Sequence, residues 1–191
     1  MLKIVSYPTL VSTNDTAKEL LRSNTKLELP LVIVTDRQTG GRGRDGRSWW
    51  TGEGALAFSL IVELSATKFE RQTLPTLSEK IAEIVAEFVN EELLTPHEIK
   101  VHKPNDVYID NKKVSGILIE TTSPKYAIIG IGINTNNTTK EKPPELSNIP
   151  IVTLKDLRND QPLDNKMLME KIVKKILAIL RNNETVGNTC G

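Results

Sequence analysis

Gln38-Thr-Gly-Gly-Arg-Gly-Arg-Asp-Gly-Arg-Ser-Trp-Trp50 is the stretch on which the reading of this chain turns. It holds four glycines, three arginines and two tryptophans, and almost nothing from which a core could be built. On its upstream side, Leu31 to Thr35 is a short apolar, β-branched run. Downstream, Leu56, Phe58, Leu60 and Val62 alternate with smaller neighbours, so both flanks read as strands. Glycine lets the intervening loop turn tightly and approach a ligand closely. Successive exposed N–H groups in such a loop form an anion-binding concavity. Arg42, Arg44 and Arg47 add planar, permanently charged forks suited to carboxylate and phosphate, and Trp49 and Trp50 offer flat faces for a ring. No helix pattern follows, because Thr51-Gly-Glu-Gly leads into a strand, which separates the stretch from a dinucleotide fingerprint. The Lys-Ser/Thr ending of a P-loop is also missing. Residue chemistry alone gives a loop for phosphate and carboxylate, with a solvated linker or an RNA-binding tract still open.

Outward from the loop, Lys113 to Glu120 and Lys125 to Ile131 read as two more strands joined near Ser123-Pro124. Asp110-Asn111-Lys112 marks a hairpin between Val107-Tyr108-Ile109 and Val114. Three stretches carry helical spacing. Ser12 or Thr13 caps a helix whose inner face is Ala17, Leu20 and Leu21. Thr76 and Glu79 form a capping-box pattern ahead of Leu77, Ile81, Ile84, Val85 and Phe88. Met169, Ile172, Val173, Ile176 and Leu180 make one stripe, while Lys171, Lys174 and Lys175 form a solvated face. Asn134 to Pro150 is polar and proline-bearing and reads as a surface loop. Strands interleaved with helices predict an α/β fold, a mixed β-sheet with helices packed on it.

With 191 residues, 38% of them hydrophobic, the chain can bury one core. Twenty-five basic and 24 acidic side chains leave a net charge of +1, without the basic excess usual in nucleic-acid binders. The single cysteine, Cys190, rules out an internal disulfide and fits a reducing compartment. Neither a signal peptide nor a membrane-spanning run is visible, so a cytoplasmic location is expected.

The loop Gly41-Arg-Gly-Arg-Asp-Gly-Arg-Ser-Trp49 resembles, at every defined position, the Gly-Arg-Gly-Arg-Xaa-Gly-Arg-Xaa-Trp loop of biotin–protein ligases. Supporting matches follow in family order: Ser12-Thr13-Asn14, Gln38, Pro104-Asn105-Asp106 with Lys113-Val-Ser-Gly116, and Gly130-Ile-Gly-Ile-Asn134. Together they cover roughly residues 5–136. The resemblance implies the biotin/lipoate ligase catalytic-domain fold and an ATP-dependent ligase. Such an enzyme activates biotin as biotinyl-5′-AMP and transfers it to a lysine of a biotin-carrier protein. It implies biotin contacts from Ser12, Thr13, Asn14, Gln38, Gly41, Arg42, Arg44, Lys113, Gly116, Gly130 and Gly132. Nucleotide contacts fall to Arg42, Arg44, Arg47, Trp49, Asn105, Lys113 and Asn134. Catalysis falls to Lys113, Arg44, Arg47 and Asp106. Mg²⁺ is expected through the phosphates, with Asp106 orienting either the metal or the incoming lysine.

The sequence departs from the family before Asn105-Asp106, where His102-Lys103-Pro104 stands in place of Lys-Trp-Pro. Adjacent strand residues point to opposite faces, so Lys103 cannot simply replace the lost lysine. Weaker stabilisation of the carboxylate and phosphate side is expected. Neither the DNA-binding domain of repressor members before the first strand nor the small C-terminal barrel domain of most members is expected in these 191 residues, and the chain reads either as a naturally minimal ligase or as a truncated one. The expected organisation is a catalytic domain over 1–181 and a flexible tail over 182–191. It is expected to act as a monomer or homodimer, without DNA or membrane. The competing readings are a lipoate or octanoate ligase and a non-catalytic biotin-binding paralogue. An Arg-Gly RNA module is disfavoured by the neutral charge and by the lack of other aromatic platforms.

Overall fold

Leu56–Glu63 buries every side chain except that of Glu63, the interposed Ala57, Ser59 and Ile61 included. Such a strand is covered on both faces, whereas the alternation read from the sequence belongs to a strand with one wet face. The computed structural model, which describes residues 2–23, 26–64, 67, 73–146 and 149–181, explains the difference. The strands are β1 (Lys3–Leu10), β2 (Leu31–Gln38), β3 (Leu56–Glu63), β4 (Ile99–His102), β5 (Asp106–Ile109), β6 (Lys112–Ser123) and β7 (Tyr126–Ile133). They form one seven-stranded sheet in the order β1-β2-β3-β7-β6-β5-β4. β1 and β2 are parallel and every other pairing is antiparallel. The mixed sheet expected from the sequence is therefore present.

Helix α1 (Thr13–Arg22) is the crossover between β1 and β2. It lies on one face, where Ala17 packs with Leu31, Ile33, Ile61 and Ile128. Helices α2 (Leu74–Glu91) and α4 (Asn165–Arg181) cover the other face, burying Ile81, Val85, Ile172 and Ile176 against Phe58, Leu60 and Ile129. The short α3 (Leu154–Leu157) precedes α4. In α4 the expected stripe is buried and Lys171, Lys174 and Lys175 are exposed. Two of these lysines reach back to α2, Lys171 to Glu92 and Lys175 to Glu87.

Two local expectations need correction. Helix α2 begins at Leu74 with Thr73 as its N-cap, so Thr76 lies inside the first turn and is no cap. Pro75 sits where a missing N–H costs nothing, which lets the helix start earlier than the Thr76/Glu79 pattern suggested. The segment after β7 is not wholly a surface loop either, since Asn134, Thr135 and Asn137 are buried. Their amides and hydroxyls replace a strand ladder: Thr135 Oγ1 donates to Gly54 O at 2.8 Å and Asn137 Nδ2 to Asn134 Oδ1 at 3.1 Å. Asn136 joins the segment to the approach of α4, accepting from Leu163 N–H at 2.8 Å.

The hairpin between β5 and β6 turns on Asp110 and Asn111, both at positive φ (48° and 62°), the conformation of a two-residue type I′ turn. Among the described residues no helix is long and apolar enough to cross a membrane. Residues 182–191, read from the sequence as a tail and carrying Cys190, lie outside the described residues.

Candidate active site

The glycine–arginine loop is a tight reversal rather than a slack linker. Gly43 N–H donates to Arg47 O at 2.7 Å and Trp49 N–H to Gly41 O at 2.9 Å, around a single 3-10 turn at Arg44–Gly46. The reversal hangs from the end of β2 and leans over the sheet beside the start of α1. A cleft of about 470 Å³ lies beneath it. It brings together residues far apart in the chain: Ser12, Thr13 and Asn14 from α1, Gln38 from β2, and Arg42, Arg44, Arg47 and Trp49 from the loop. Asn105 and Asp106 at β5, Lys113 and Gly116 on β6, and Gly130, Gly132 and Asn134 at β7 complete the expected set. Gly41 alone among the expected residues lies outside the wall, buried at the neck of the loop.

At the α1 end the lining is polar and fully interlocked. Thr13 N–H donates to Gln38 Oε1 at 2.9 Å, and Gln38 Nε2 donates to Thr51 Oγ1 at 3.0 Å. Ser59 Oγ lies 2.7 Å from Thr13 Oγ1 and 2.6 Å from Asn14 Oδ1. Asn14 Nδ2 donates to Leu118 O and to Glu120, whose other oxygen accepts from Lys18 Nζ at 2.7 Å. Ser12 occupies the N-cap position of α1, but its side chain makes no capping hydrogen bond, which corrects the simple capping role expected of it.

The glycines of β7 make room for side chains of the chain itself. A Cβ on Gly130 would fall 2.4 Å from Asn14 Oδ1, and one on Gly132 would fall 2.4 Å from the Trp49 indole. The Trp49 indole therefore packs against Gly132 of the sheet, and its buried Nε1–H has no partner among the described residues.

At the other end sit the cations. Lys113 Nζ pairs with Asp106 Oδ2 at 2.7 Å, with both side chains mostly buried, and stands 5.6 Å from the Trp49 ring centre. Its backbone is clamped: Lys113 N–H donates to Pro150 O at 2.9 Å, and Lys113 O accepts from Val152 N–H at 3.1 Å. Asn105 donates through Nδ2 to Ile117 O at 3.1 Å, so its Oδ1 faces Arg44 Nη1 at 3.4 Å. The Arg47 side chain is 71% exposed and pairs with Asp45 at 3.4 Å. Its guanidinium is open to an incoming anion.

Arg42 behaves differently from the expectation that all three loop arginines receive anions. Its guanidinium is forked onto both carboxylate oxygens of Asp15, with Glu120 4.0 Å away. The hydrogen bond to Arg42 holds the Asp15 carboxyl below the ordinary aspartate range despite partial burial, and Asp15 in turn raises Arg42. An arginine so neutralised ties the loop to α1 more than it attracts phosphate.

The family-divergent residues add no cation to the cleft. His102 stacks on Tyr108, with ring centres 4.0 Å apart and planes 16° apart, while Lys103 turns to α2 and pairs with Glu79. Tyr108 lines the cleft, and burial, followed by the nearby charge of Asp106, raises its phenol above the ordinary range.

Asp15, Lys18, Thr51, Ser59, Tyr108 and Glu120 escaped the sequence reading. Ser59 alone left a signal, a hydroxyl inside an otherwise apolar strand; such a group is buried only with a partner. An apolar flank from Leu146, Ile149 and Ile151 also closes over the cleft.

Residues 7–134 match the family described as biotin/lipoate A/B protein ligase. Over 151 residues the chain is 35% identical to the bifunctional ligase/repressor BirA of Bacillus subtilis, covering 76% of this chain and 44% of that protein. It is 33% identical over 139 residues to the chloroplastic biotin–protein ligase 1 of Arabidopsis thaliana, covering 70% of this chain and 36% of that one. The chain thus spans less than half the length of these two relatives. Among solved structures, the biotin protein ligase of Aquifex aeolicus in complex with biotin and ATP superposes with a TM-score of 0.75 at 32% identity. That likeness covers 94% of this chain and 70% of the Aquifex chain.

Proposed function

Because the chain belongs to the biotin/lipoate A/B protein ligase family, we propose that it activates biotin with ATP and passes it to a lysine of a biotin-carrier domain. The observation that carries this reading is one cleft with hydrogen-bonding groups of α1 at one end and Arg44, Arg47 and Lys113 at the other. A ligand spanning it needs a polar ring, a chain and an anion, and biotin beside a nucleotide has that order of parts.

In the first step a carboxylate oxygen of biotin attacks the α-phosphorus of ATP. The bond from that phosphorus to the bridging oxygen breaks, and pyrophosphate leaves with the electron pair. Two anions must meet, so the main demand is to offset charge gathering on phosphate oxygens. Lys113 is the central cation for that task, held at the cleft by Asp106 and by its clamped backbone. Arg44, aligned by Asn105, and the open Arg47 supply the rest. In the second step the acceptor lysine's amine attacks the acyl carbon, AMP departs, and the amine gives up a proton. Asp106, which pairs with Lys113 at 2.7 Å, is the candidate for orienting either that amine or the metal.

Mg²⁺ fits this site as a companion of the phosphates. Among the described residues no group of three or more His, Cys, Asp or Glu is placed to hold an ion, and Asp106 is the carboxylate that the cleft offers beside them. The ion supplies further charge neutralisation on the triphosphate. The net charge of +1 supports action without DNA, and the same reading has the chain act in the cytoplasm as a monomer or homodimer.

The test is exchange of labelled pyrophosphate into ATP. Exchange that depends on biotin and not on lipoate is expected. Exchange with lipoate instead would move the chain to the other branch of the family, and biotin binding without exchange would make it a binding paralogue.

A further inference from the structure

Glu120, more than a hundred positions from Asn14 and Lys18 in sequence, sets the direction of the hydrogen bonds that run from Asn14 through Ser59 to Thr13. We infer that Glu120, held by Lys18, is a positioning residue that makes this end an acceptor surface for ligand N–H groups and so selects a cyclic urea over an apolar ring. The inference rests on the ligase reading above.

A carboxylate accepts hydrogen bonds and never donates them when ionised. Glu120 Oε2 lies 2.8 Å from one terminal atom of the Asn14 amide, so that atom is the NH₂ group, and Leu118 O at 3.3 Å takes its second hydrogen. Asn14 Oδ1 must then face Ser59 and Gly130. Ser59 has a single proton, and the 2.6 Å contact to Asn14 Oδ1 claims it. The 2.7 Å contact between Ser59 and Thr13 is left to the Thr13 hydroxyl as donor, and its other acceptor among the described residues is Gln38 Oε1 at 3.2 Å. Both choices point the Thr13 proton into the protein. Gln38 is fixed the same way, because the Thr13 backbone N–H identifies Oε1 and leaves Nε2 for Thr51.

What remains toward the cleft at Thr13 and Asn14 is oxygen lone pairs. They suit the two N–H groups of a urea ring and give nothing to a dithiolane or an alkyl end. Lys18 keeps the arrangement in register: its ammonium takes the other oxygen of Glu120 at 2.7 Å, which fixes the orientation of the carboxylate. Without that fixed acceptor the Asn14 amide is free to turn over, and an NH₂ group would then confront the ligand's N–H.

The experiment measures biotin-dependent pyrophosphate exchange for the whole chain and for Glu120→Gln, Lys18→Met and Lys18→Arg. Separate KM values for biotin and ATP, and the melting midpoint, are recorded. Glu120→Gln, which can donate to Asn14 Oδ1, is expected to raise the biotin KM roughly tenfold, the scale of one reversed hydrogen bond. The ATP KM and kcat should stay within about twofold. Lys18→Met should shift the biotin KM in the same direction, and Lys18→Arg should restore it. Should Glu120→Gln fail to fold, the Lys18 pair and the dissociation constant for biotin decide. An unchanged biotin KM in Glu120→Gln, or equal rises in both KM values with a lowered melting midpoint, overturns the inference. A parent chain without biotin-dependent exchange overturns the ligase reading instead, and the inference with it.

Discussion

Lys113 is held as tightly as any side chain in the cleft, and its two attachments have different consequences. The pair with Asp106 at 2.7 Å keeps the ammonium aimed, while the backbone clamp from Pro150 and Val152 fixes where its stem begins. Lys113→Ala should therefore cut pyrophosphate exchange about a hundredfold, the effect of losing ~3 kcal/mol of transition-state stabilisation, with biotin binding largely kept. An unchanged exchange rate in that variant would remove Lys113 from the chemistry. Asp15 carries a pH prediction. Its carboxyl is held below the ordinary aspartate range by the Arg42 hydrogen bond, so the pair contributes stability above about pH 4, where an unfolded aspartate is already ionised. That contribution is lost as the pH falls through the depressed native value. Urea midpoints of the parent and Asp15→Asn should differ above about pH 4 and converge in stronger acid.

Among the elements, the β5–β6 hairpin is the most sharply specified. Asp110 and Asn111 both stand at positive φ, and Asp110 also binds outward, to His97 Nδ1 at 2.7 Å and to Glu98 N–H at 3.1 Å. Asn111 has only the backbone conformation to satisfy. Asn111→Gly should leave the melting midpoint unchanged or raise it. Asn111→Val should lower stability by about 1–2 kcal/mol, since a β-branched residue resists the left-handed region. The hairpin joins the strands bearing Asp106 and Lys113, so the valine variant should also raise the KM for ATP. Its turn was legible from sequence because Asp-Asn between two apolar runs is a local signal. The start of α2 was misread for the same reason, since Thr76 and Glu79 carry a local pattern that Pro75 overrides.

At the scale of the molecule, the cleft gathers residues from four strands (β2, β5, β6 and β7), from helix α1 and from the segments that follow β2 and β7, so a ligand filling it should brace much of the sheet. Biotin at a hundred times its dissociation constant should add about 2.7 kcal/mol to stability, a rise of roughly 5–10 °C in melting midpoint for a chain of this size. Chelation of divalent ions should abolish pyrophosphate exchange and leave that rise intact, because in the proposed reading biotin is held by side chains of the protein and the ion by the phosphates. A loss of the thermal shift on chelation would place the ion in the biotin pocket itself.

The sequence alone determined the glycine–arginine reversal, the helical stripes, the apolar strands and the order of the site motifs. Each of these is written in neighbouring residues, through residue type or a period of two or 3.6. Tertiary structure alone decided how those motifs are wired. Arg42 answers to Asp15, 27 positions away, and Asn14 to Glu120, 106 positions away. His102 lies on Tyr108 instead of entering the cleft. An ion pair or hydrogen bond closed across a sheet leaves no period behind, because its partners need only meet in space. The sequence therefore held the groups that the cleft uses, and only the folded sheet decided which of them are already engaged and which still face a ligand.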